Sequence, residues 1–157
     1  MHAFERQHSL QTLAEGLAEY HDSNPGLAKD RNLSPQAQEF FRCHDAVHVV
    51  FGCGNSLNDE AVVKIASMLG TTASLGVLRG YTLRESLEIY RALRVGDVAD
   101  SVLQSVVVVP RTIVRCLRQG RRWPWDTFDK YMQVPLQDIR EEFGIRVARF
   151  GPPRPAG

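Results

Sequence analysis

Segment 34–52 constrains the fold most, because it reads as a single helix that carries two histidines on its apolar face. Its Ser-Pro start is typical of a helix N-terminus, and its closing glycine is typical of a helix C-terminus. His44 and His48 lie four positions apart and therefore point to the same side of the helix. The apolar residues on that side are Ala37, Phe40, Phe41, Val47 and Phe51. The sequence thus predicts two imidazoles in the interior of a helical protein.

Acidic side chains accompany this histidine pair. Asp45 lies between the two histidines, and Glu60 lies in the first turn of the next predicted helix, behind a glycine-containing loop. A helical hairpin would bring Glu60 over His44 and His48. Imidazole and carboxylate donors suit zinc, iron, cobalt or manganese, and burying them without a cation is costly. We therefore predict one divalent metal, held by His44, Asp45, His48 and Glu60.

Other interpretations of these residues stay open. The histidines and Asp45 could form a metal-free hydrogen-bonded network, or Asp45 could orient a ring or a water instead of binding the metal. Glu60 could instead only stabilise its own helix, because an acidic side chain in the first turn interacts favourably with the helix dipole. We expect Cys43 and Cys53, which flank the site, to be buried packing residues. We expect the remaining histidines to be solvated and without a role: His2, His8 and His21.

The composition is that of one globular domain. The chain has 157 residues, of which 43% are hydrophobic and 24% charged, and its net charge of +1 gives no general attraction to nucleic acid or anionic membranes. Three separated cysteines argue against a disulfide framework and for a reducing compartment. No signal or transit peptide is recognised, so we expect a cytoplasmic protein, at most peripheral to the inner membrane. We predict one helical domain over 1–150 and a disordered Pro/Gly-rich tail over 151–157.

Apolar spacing and capping residues predict an all-α fold of about six helices, with the metal between two neighbouring helices. The predicted helices span 8–20, 34–51, 59–69, 96–119 and 135–144, with another beginning at Thr82 and a short one after Trp125. The β-branched run at 106–109 alone would suggest a strand. No second strand is evident to pair with it, so we favour a helix kinked at Pro110.

Arginines are clustered from the last third of the predicted helix 96–119 up to a Trp-Pro-Trp sequence. They are Arg111, Arg115, Arg118, Arg121 and Arg122. Guanidinium groups could bind phosphate, carboxylate or lipid headgroups, and the tryptophans would also suit single-stranded nucleic acid. We favour a solvated helix end, where cations are stabilised by the helix dipole. We expect no nucleic-acid partner, because the overall charge is balanced.

The spacing of the metal motif resembles that of a known family. The His-Asp-x-x-His motif at 44–48, followed after eleven residues by Glu60, is similar to the metal signature of the coenzyme Q (ubiquinone) biosynthesis family called Coq-four. The Arg-x-x-x-Gly-Ile sequence at 140–145 also resembles the closing helix of that family. The resemblance covers roughly residues 33–146.

The resemblance implies an all-α fold with a hydrophobic cavity for a polyprenyl chain and a divalent metal, most readily zinc, on the four residues named above. The implied reaction is oxidative decarboxylation at ring carbon 1 of a polyprenyl-hydroxybenzoate precursor, in which a hydroxyl replaces the carboxyl group. We expect Asp45 and His44 to act in catalysis. The expected substrate contacts are Leu83, Leu87, Val102 and Val106 for the prenyl tail, and Arg111 or Arg115 for an anionic headgroup.

The resemblance also implies peripheral membrane contact and association with other enzymes of ubiquinone biosynthesis, and a homodimer is compatible with an apolar helical domain. Two other classes of function stay open. One is a zinc metallohydrolase, because the motif parallels the His-Glu-x-x-His arrangement, in which the acid serves as base. The other is a non-catalytic polyprenyl-lipid-binding or scaffold protein with a structural metal.

Overall fold

The computed structural model describes residues 1–25, 33–81 and 98–147, and within these ranges the chain is helical, with no strand. The all-α class is confirmed. We number the α-helices α1 Leu13–Ser23, α2 Pro35–Phe51, α3 Leu57–Ile65, α4 Leu78–Tyr81, α5 Val98–Leu117 and α6 Leu136–Phe143. A π-helical turn, Ala66–Gly70, follows α3, and short 3-10 helices lie at Ala3–Glu5, Ser74–Val77 and Asp129–Tyr131. None of the described helices is long and apolar enough to cross a membrane.

Helix α2 forms the centre of the core, with the bounds that its sequence predicts. The Ser34 hydroxyl accepts a hydrogen bond from the Ala37 amide at 3.3 Å, and Pro35 occupies the first turn. Gly52 ends the helix in the left-handed conformation, with φ of +68°. A Cβ at this glycine would lie 2.6 Å from a methyl group of Val147, so the position requires glycine for space as well as for conformation.

The C-terminal end of α2 is held by a buried arginine from α6. Arg140 is 1% exposed and donates hydrogen bonds to the backbone carbonyls of Val49 and Val50, each at 2.8 Å. The same guanidinium donates to the carbonyls of the N-terminal segment, Phe4, Arg6 and Gln7. Burial lowers the pKa of Arg140 to about 10. This one side chain therefore joins the N-terminal segment, α2 and α6, and it fixes the helix that carries both histidines.

The first helix begins later and ends later than its apolar spacing predicts. The Thr12 hydroxyl accepts a hydrogen bond from the Glu15 amide, and the Glu15 carboxylate accepts one from the Thr12 amide, so this capping box sets the start at Leu13. Leu10, which falls within the predicted helix 8–20, precedes this start and is 75% exposed. The last turn runs on to Ser23 and includes residues predicted to form a loop.

Helix α3 also begins two residues earlier than predicted. The Ser56 hydroxyl accepts a hydrogen bond from the Asp59 amide, and the Asp59 carboxylate accepts one from the Ser56 amide, so Ser56 caps the helix and sets its start at Leu57. Val62, Val63 and Ala66 are buried and pack the α3 segment into the core. The resulting hairpin of α2 and α3 has the arrangement that the metal prediction requires.

The remaining predictions have mixed outcomes. Residues 98–117 form a helix with Pro110 inside it, so the β-branched run does not form a strand. Helix α6 ends at Gly144 with φ of +69°, as predicted, and its amide donates to the Arg140 carbonyl. The helix beginning at Thr82, together with Leu83 and Leu87, lies outside the described residues, as does the tail 151–157. Val102 and Val106 lie in α5.

Candidate metal centre

Helices α2 and α3 bring His44, His48 and Glu60 together. The Glu60 carboxylate lies between the two rings, with Oε1 3.2 Å from Nε2 of His48 and Oε2 3.7 Å from Nε2 of His44. One donor atom from each of the three residues lies within 4.8 Å of the others. His48 is fully buried, and the His44 and Glu60 side chains are 6% and 16% exposed. Two imidazole nitrogens and a carboxylate that converge in the interior fit a divalent metal by donor type and by spacing.

Each histidine directs Nε2 toward the carboxylate and Nδ1 toward an acceptor on the other side. Nδ1 of His48 lies 2.7 Å from the backbone carbonyl of Gly54. Nδ1 of His44 faces Oδ1 of Asp45 at 3.8 Å. An acceptor beside Nδ1 favours the tautomer with its proton there, which leaves the Nε2 lone pair directed toward Glu60. Metal-binding histidines characteristically place their second nitrogen beside a carbonyl or a carboxylate in this way.

Asp45, predicted as a fourth metal ligand, is placed beside the donor group and is not among the three residues whose donor atoms converge. Its Oδ2 lies 2.9 Å from Nε2 of His21, and its Oδ1 faces His44. The structure corrects the prediction that His21 is simply solvated. His21 lies in the last turn of α1 and is 37% exposed, and it contacts a buried carboxylate. The error arises because the sequence places His21 in a loop.

The charges of the site are mutually stabilised. Burial raises the pKa of Asp45, but the hydrogen bond to His21 and the nearby ring of His44 outweigh it, so the carboxyl pKa lies below its usual range. Burial likewise raises the pKa of Glu60, and the two facing histidines outweigh it, so this pKa is also lowered. Burial lowers the pKa of His48, but contact with Glu60 raises it above the ordinary value. The site therefore holds ionised carboxylates, as a cation site requires.

Aromatic rings enclose the histidines. Tyr20 is 1% exposed and stacks on His48 with ring centroids 5.0 Å apart. Phe40 stacks on His44 at 5.7 Å. Phe40 also lines an apolar groove of about 590 Å³. Among the described residues, the groove is also lined by Pro35, Gln36, Glu39, Ala73, Gly76, Val77, Gly80 and Trp125. A substrate held in this groove would lie next to the ring of one candidate ligand.

The two cysteines near the site are buried, as predicted. Cys43 donates from Sγ to the Glu39 carboxylate at 3.4 Å, and burial raises the pKa of its thiol to about 12. Cys53 is fully buried with its thiol pKa also raised by burial, and it donates to the Phe51 carbonyl at 3.7 Å. Both thiols therefore stay protonated at neutral pH, whereas a metal ligand must be a thiolate.

The arginine cluster is spread over the surface. Arg121 pairs with Glu142 at 2.8 Å, and Arg122 donates to the Ser74 hydroxyl at 2.9 Å. Arg111 is exposed, and Arg115 is partly buried beside a small cavity next to α3. Trp123 is fully buried in the core and is not available to stack on a nucleic-acid base. This arrangement agrees with the favoured interpretation of a solvated helix end.

Comparison with known proteins gives a short but relevant similarity. The chain is 39% identical over 49 residues to the "Ubiquinone biosynthesis protein COQ4 homolog, mitochondrial" of Leishmania infantum, and equally to that of Leishmania major. The resemblance to the Coq-four family is confirmed. The matched stretch is 31% of this chain, and it spans only about a quarter (26%) of the length of these relatives. No protein-family model matches the chain, and no solved structure matches it at a significant level.

Proposed function

We propose that this chain is a compact, divergent Coq-four protein that acts in ubiquinone biosynthesis as a metal-dependent decarboxylase. The observation that carries the proposal is the convergence of His44, His48 and Glu60, each histidine having its Nε2 turned inward and its Nδ1 beside an acceptor. The similarity to proteins named for ubiquinone biosynthesis supports the pathway. The proposed reaction is oxidative decarboxylation at ring carbon 1 of a polyprenyl-hydroxybenzoate: the carboxyl group leaves as carbon dioxide, a hydroxyl group from water replaces it, and the two electrons and two protons released pass to an external two-electron oxidant such as dioxygen.

We assign the following roles to the residues of the site. His44, His48 and Glu60 would hold the metal, zinc by donor type, which when bound supplies a Lewis acid to polarise the carboxylated ring. Asp45, as the predicted fourth ligand, would act either on the metal or through His44, whose Nδ1 it faces. One oxygen of the Asp45 carboxylate is held by His21 and the other faces Nδ1 of His44, so Asp45 would orient the His44 ring.

The apolar groove beside Phe40 supports a substrate with a hydrocarbon tail. Its wall includes Val77, Trp125 and Phe40, and the Phe40 ring also stacks on His44. A prenyl chain gains roughly 25 cal/mol for each Å² of its surface removed from water, which is enough for a chain of a few isoprene units to anchor a small ring. Leu83, Leu87, Val106, Arg111 and Arg115 stay predictions as substrate contacts.

Metal analysis tests the first part of the proposal. Purified wild type is compared with His44→Ala and Glu60→Ala, and with His8→Ala as a control, because His8 is an exposed histidine outside the donor group. We expect about one zinc per chain in wild type and in the control, and strong loss in both site variants. Full metal content in the site variants would show that the ligand assignment is wrong.

Complementation tests the second part. The chain is expressed in cells that lack the decarboxylation step of ubiquinone synthesis, and ubiquinone is measured in lipid extracts. We expect rescue by wild type and by His8→Ala, and none by His44→Ala at equal protein level. A folded, metal-loaded wild type that fails to rescue would contradict the decarboxylase.

The same two experiments distinguish the decarboxylase from a non-catalytic scaffold with a structural metal. The low exposure of His44 and His48 favours the scaffold. A structural metal site is closed and offers no coordination position to substrate. For the scaffold we expect full zinc content, no rescue of ubiquinone synthesis, and lipid that stays bound through purification. The metallohydrolase is less well supported, because Asp45 is turned to His21 and the described residues contain no strand edge to hold a peptide.

A further inference from the structure

The last turn of α1 contacts both histidines of the metal centre, and neither contact is part of the metal motif. Tyr20 stacks directly on His48, and the next residue, His21, reaches His44 through the carboxylate of Asp45. Helix α1 packs along α2, which places this turn beside the middle of α2. The end of α1 thus forms a third wall of the centre, beside α2 and α3.

We propose that His21 is a positioning residue of the metal centre, which holds Asp45 so that Asp45 fixes the ring of His44 for metal binding. This inference rests on the metal centre proposed above. It concerns a residue outside the His-Asp-x-x-His motif and outside the set of residues that converge on Glu60.

The geometry carries the first step, from His21 to Asp45. Nε2 of His21 lies 2.9 Å from Oδ2 of Asp45, which is a hydrogen-bond distance for a nitrogen and a carboxylate oxygen. The Asp45 side chain is only 10% exposed, so water cannot readily take the place of this donor. A buried carboxylate without a donor would turn toward another partner or take up a proton. His21 therefore fixes the direction of the Asp45 carboxylate.

The second step runs from Asp45 to His44. Oδ1 of Asp45 faces Nδ1 of His44 at 3.8 Å, while Nε2 of the same ring faces Glu60 at 3.7 Å. A carboxylate on the Nδ1 side favours the proton at Nδ1 and makes Nε2 a better ligand. With Oδ2 engaged by His21, Oδ1 is the oxygen left to face His44. Loss of His21 would free the carboxylate to rotate, and the ring of His44 would lose its fixed orientation.

The test measures Co²⁺ binding by the full chain, with no substrate present. The variants are His21→Ala, His21→Gln, Asp45→Asn and the double variant, with His8→Ala as the matched control. We expect His21→Ala to weaken Co²⁺ binding by about 10- to 100-fold, the usual cost of removing such a partner of a metal-bound histidine. His21→Gln keeps an N–H donor near the position of Nε2 and should recover most of that loss.

Two readouts distinguish positioning from a general effect on folding. The visible Co²⁺ spectrum of His21→Ala should shift in position or intensity, while its circular dichroism stays that of wild type. In the double variant, His21→Ala should add little to the loss caused by Asp45→Asn, because both changes interrupt the same chain of contacts. Losses that simply add, or a His21→Ala chain with wild-type affinity and spectrum, would overturn the role of His21. A wild type that binds no Co²⁺ would overturn the metal centre itself, and the role of His21 with it.

Discussion

Helix α2 buries charge at two places, and the two places differ in how that charge is satisfied. At its C-terminal end, Arg140 donates hydrogen bonds to backbone carbonyls of α2 itself and of the N-terminal segment. At its middle, His44 and His48 face Glu60, and their second nitrogens are backed by acceptors on the outer side. The first arrangement is complete in itself and holds the fold together. The second directs several donor atoms at one point, which is the arrangement of a binding site.

The largest expected effect comes from substituting Arg140, which satisfies the C-terminal end of α2. Arg140→Met leaves several buried carbonyls without a donor, and each costs about 1–3 kcal/mol, so we expect a loss of about 3 kcal/mol or more in the free energy of unfolding. Urea denaturation measures it. Arg121→Met is the control, because Arg121 is an exposed arginine whose pair with Glu142 contributes little. Equal losses in the two variants would contradict the structural role of Arg140.

The next effect concerns the binding side. Zinc at about a hundredfold excess over its dissociation constant should stabilise wild type by about 2.7 kcal/mol, which corresponds to a rise in Tm of about 5–10 °C. His48→Ala removes one donor atom and should lose this response. Thermal denaturation with and without zinc, in parallel with Arg121→Met, measures it. The comparison fails if His48→Ala gains as much stability from zinc as the control does.

A smaller effect follows from the pKa of His48. Protons compete with the metal for the imidazole, so metal affinity falls as the pH falls through the pKa of the metal-free ring. Contact with Glu60 raises that pKa despite burial, so the decline should begin above the ordinary histidine pKa of about 6.5. Zinc titrations between pH 8 and pH 5, on the order of one half-unit apart, measure the onset. An affinity that stays constant down to pH 5 would contradict a histidine ligand set.

The smallest expected effect is on a residue beside the site. Cys43→Ala should leave zinc content and zinc affinity unchanged, because the thiol stays protonated and donates to Glu39. The substitution should lower the free energy of unfolding only modestly, because it removes one buried sulfur atom from the core. Zinc analysis of the purified variant decides this, and a clear loss of metal would make Cys43 a ligand.

The sequence could predict helix α2 and the convergence on Glu60, because helical periodicity and capping residues determine which side chains share a face. It could not predict the direction of Asp45, since a position on a helix does not determine a side-chain rotamer. The contact of His21 with Asp45 escapes sequence analysis for a related reason. Apolar spacing predicts that the first helix ends at Tyr20, whereas the helix extends to Ser23 and includes His21.

Arg140 shows the same limit at the level of packing. The closing motif at 140–145 could be recognised, and the glycine within it takes the left-handed conformation that its position suggests. That the arginine would be buried against Val49, Val50 and the N-terminal segment depends on contacts between residues about 90 to 136 positions apart. Periodicity within one helix carries no information about such contacts.

X-ray absorption at the zinc edge of the loaded protein tests the central claim most directly. The account predicts a shell of nitrogen and oxygen ligands alone at about 2.0–2.1 Å, with the outer-shell scattering of two imidazoles, and loss of one imidazole in His48→Ala. A sulfur ligand at about 2.3 Å, or a spectrum unchanged in His48→Ala, would contradict it.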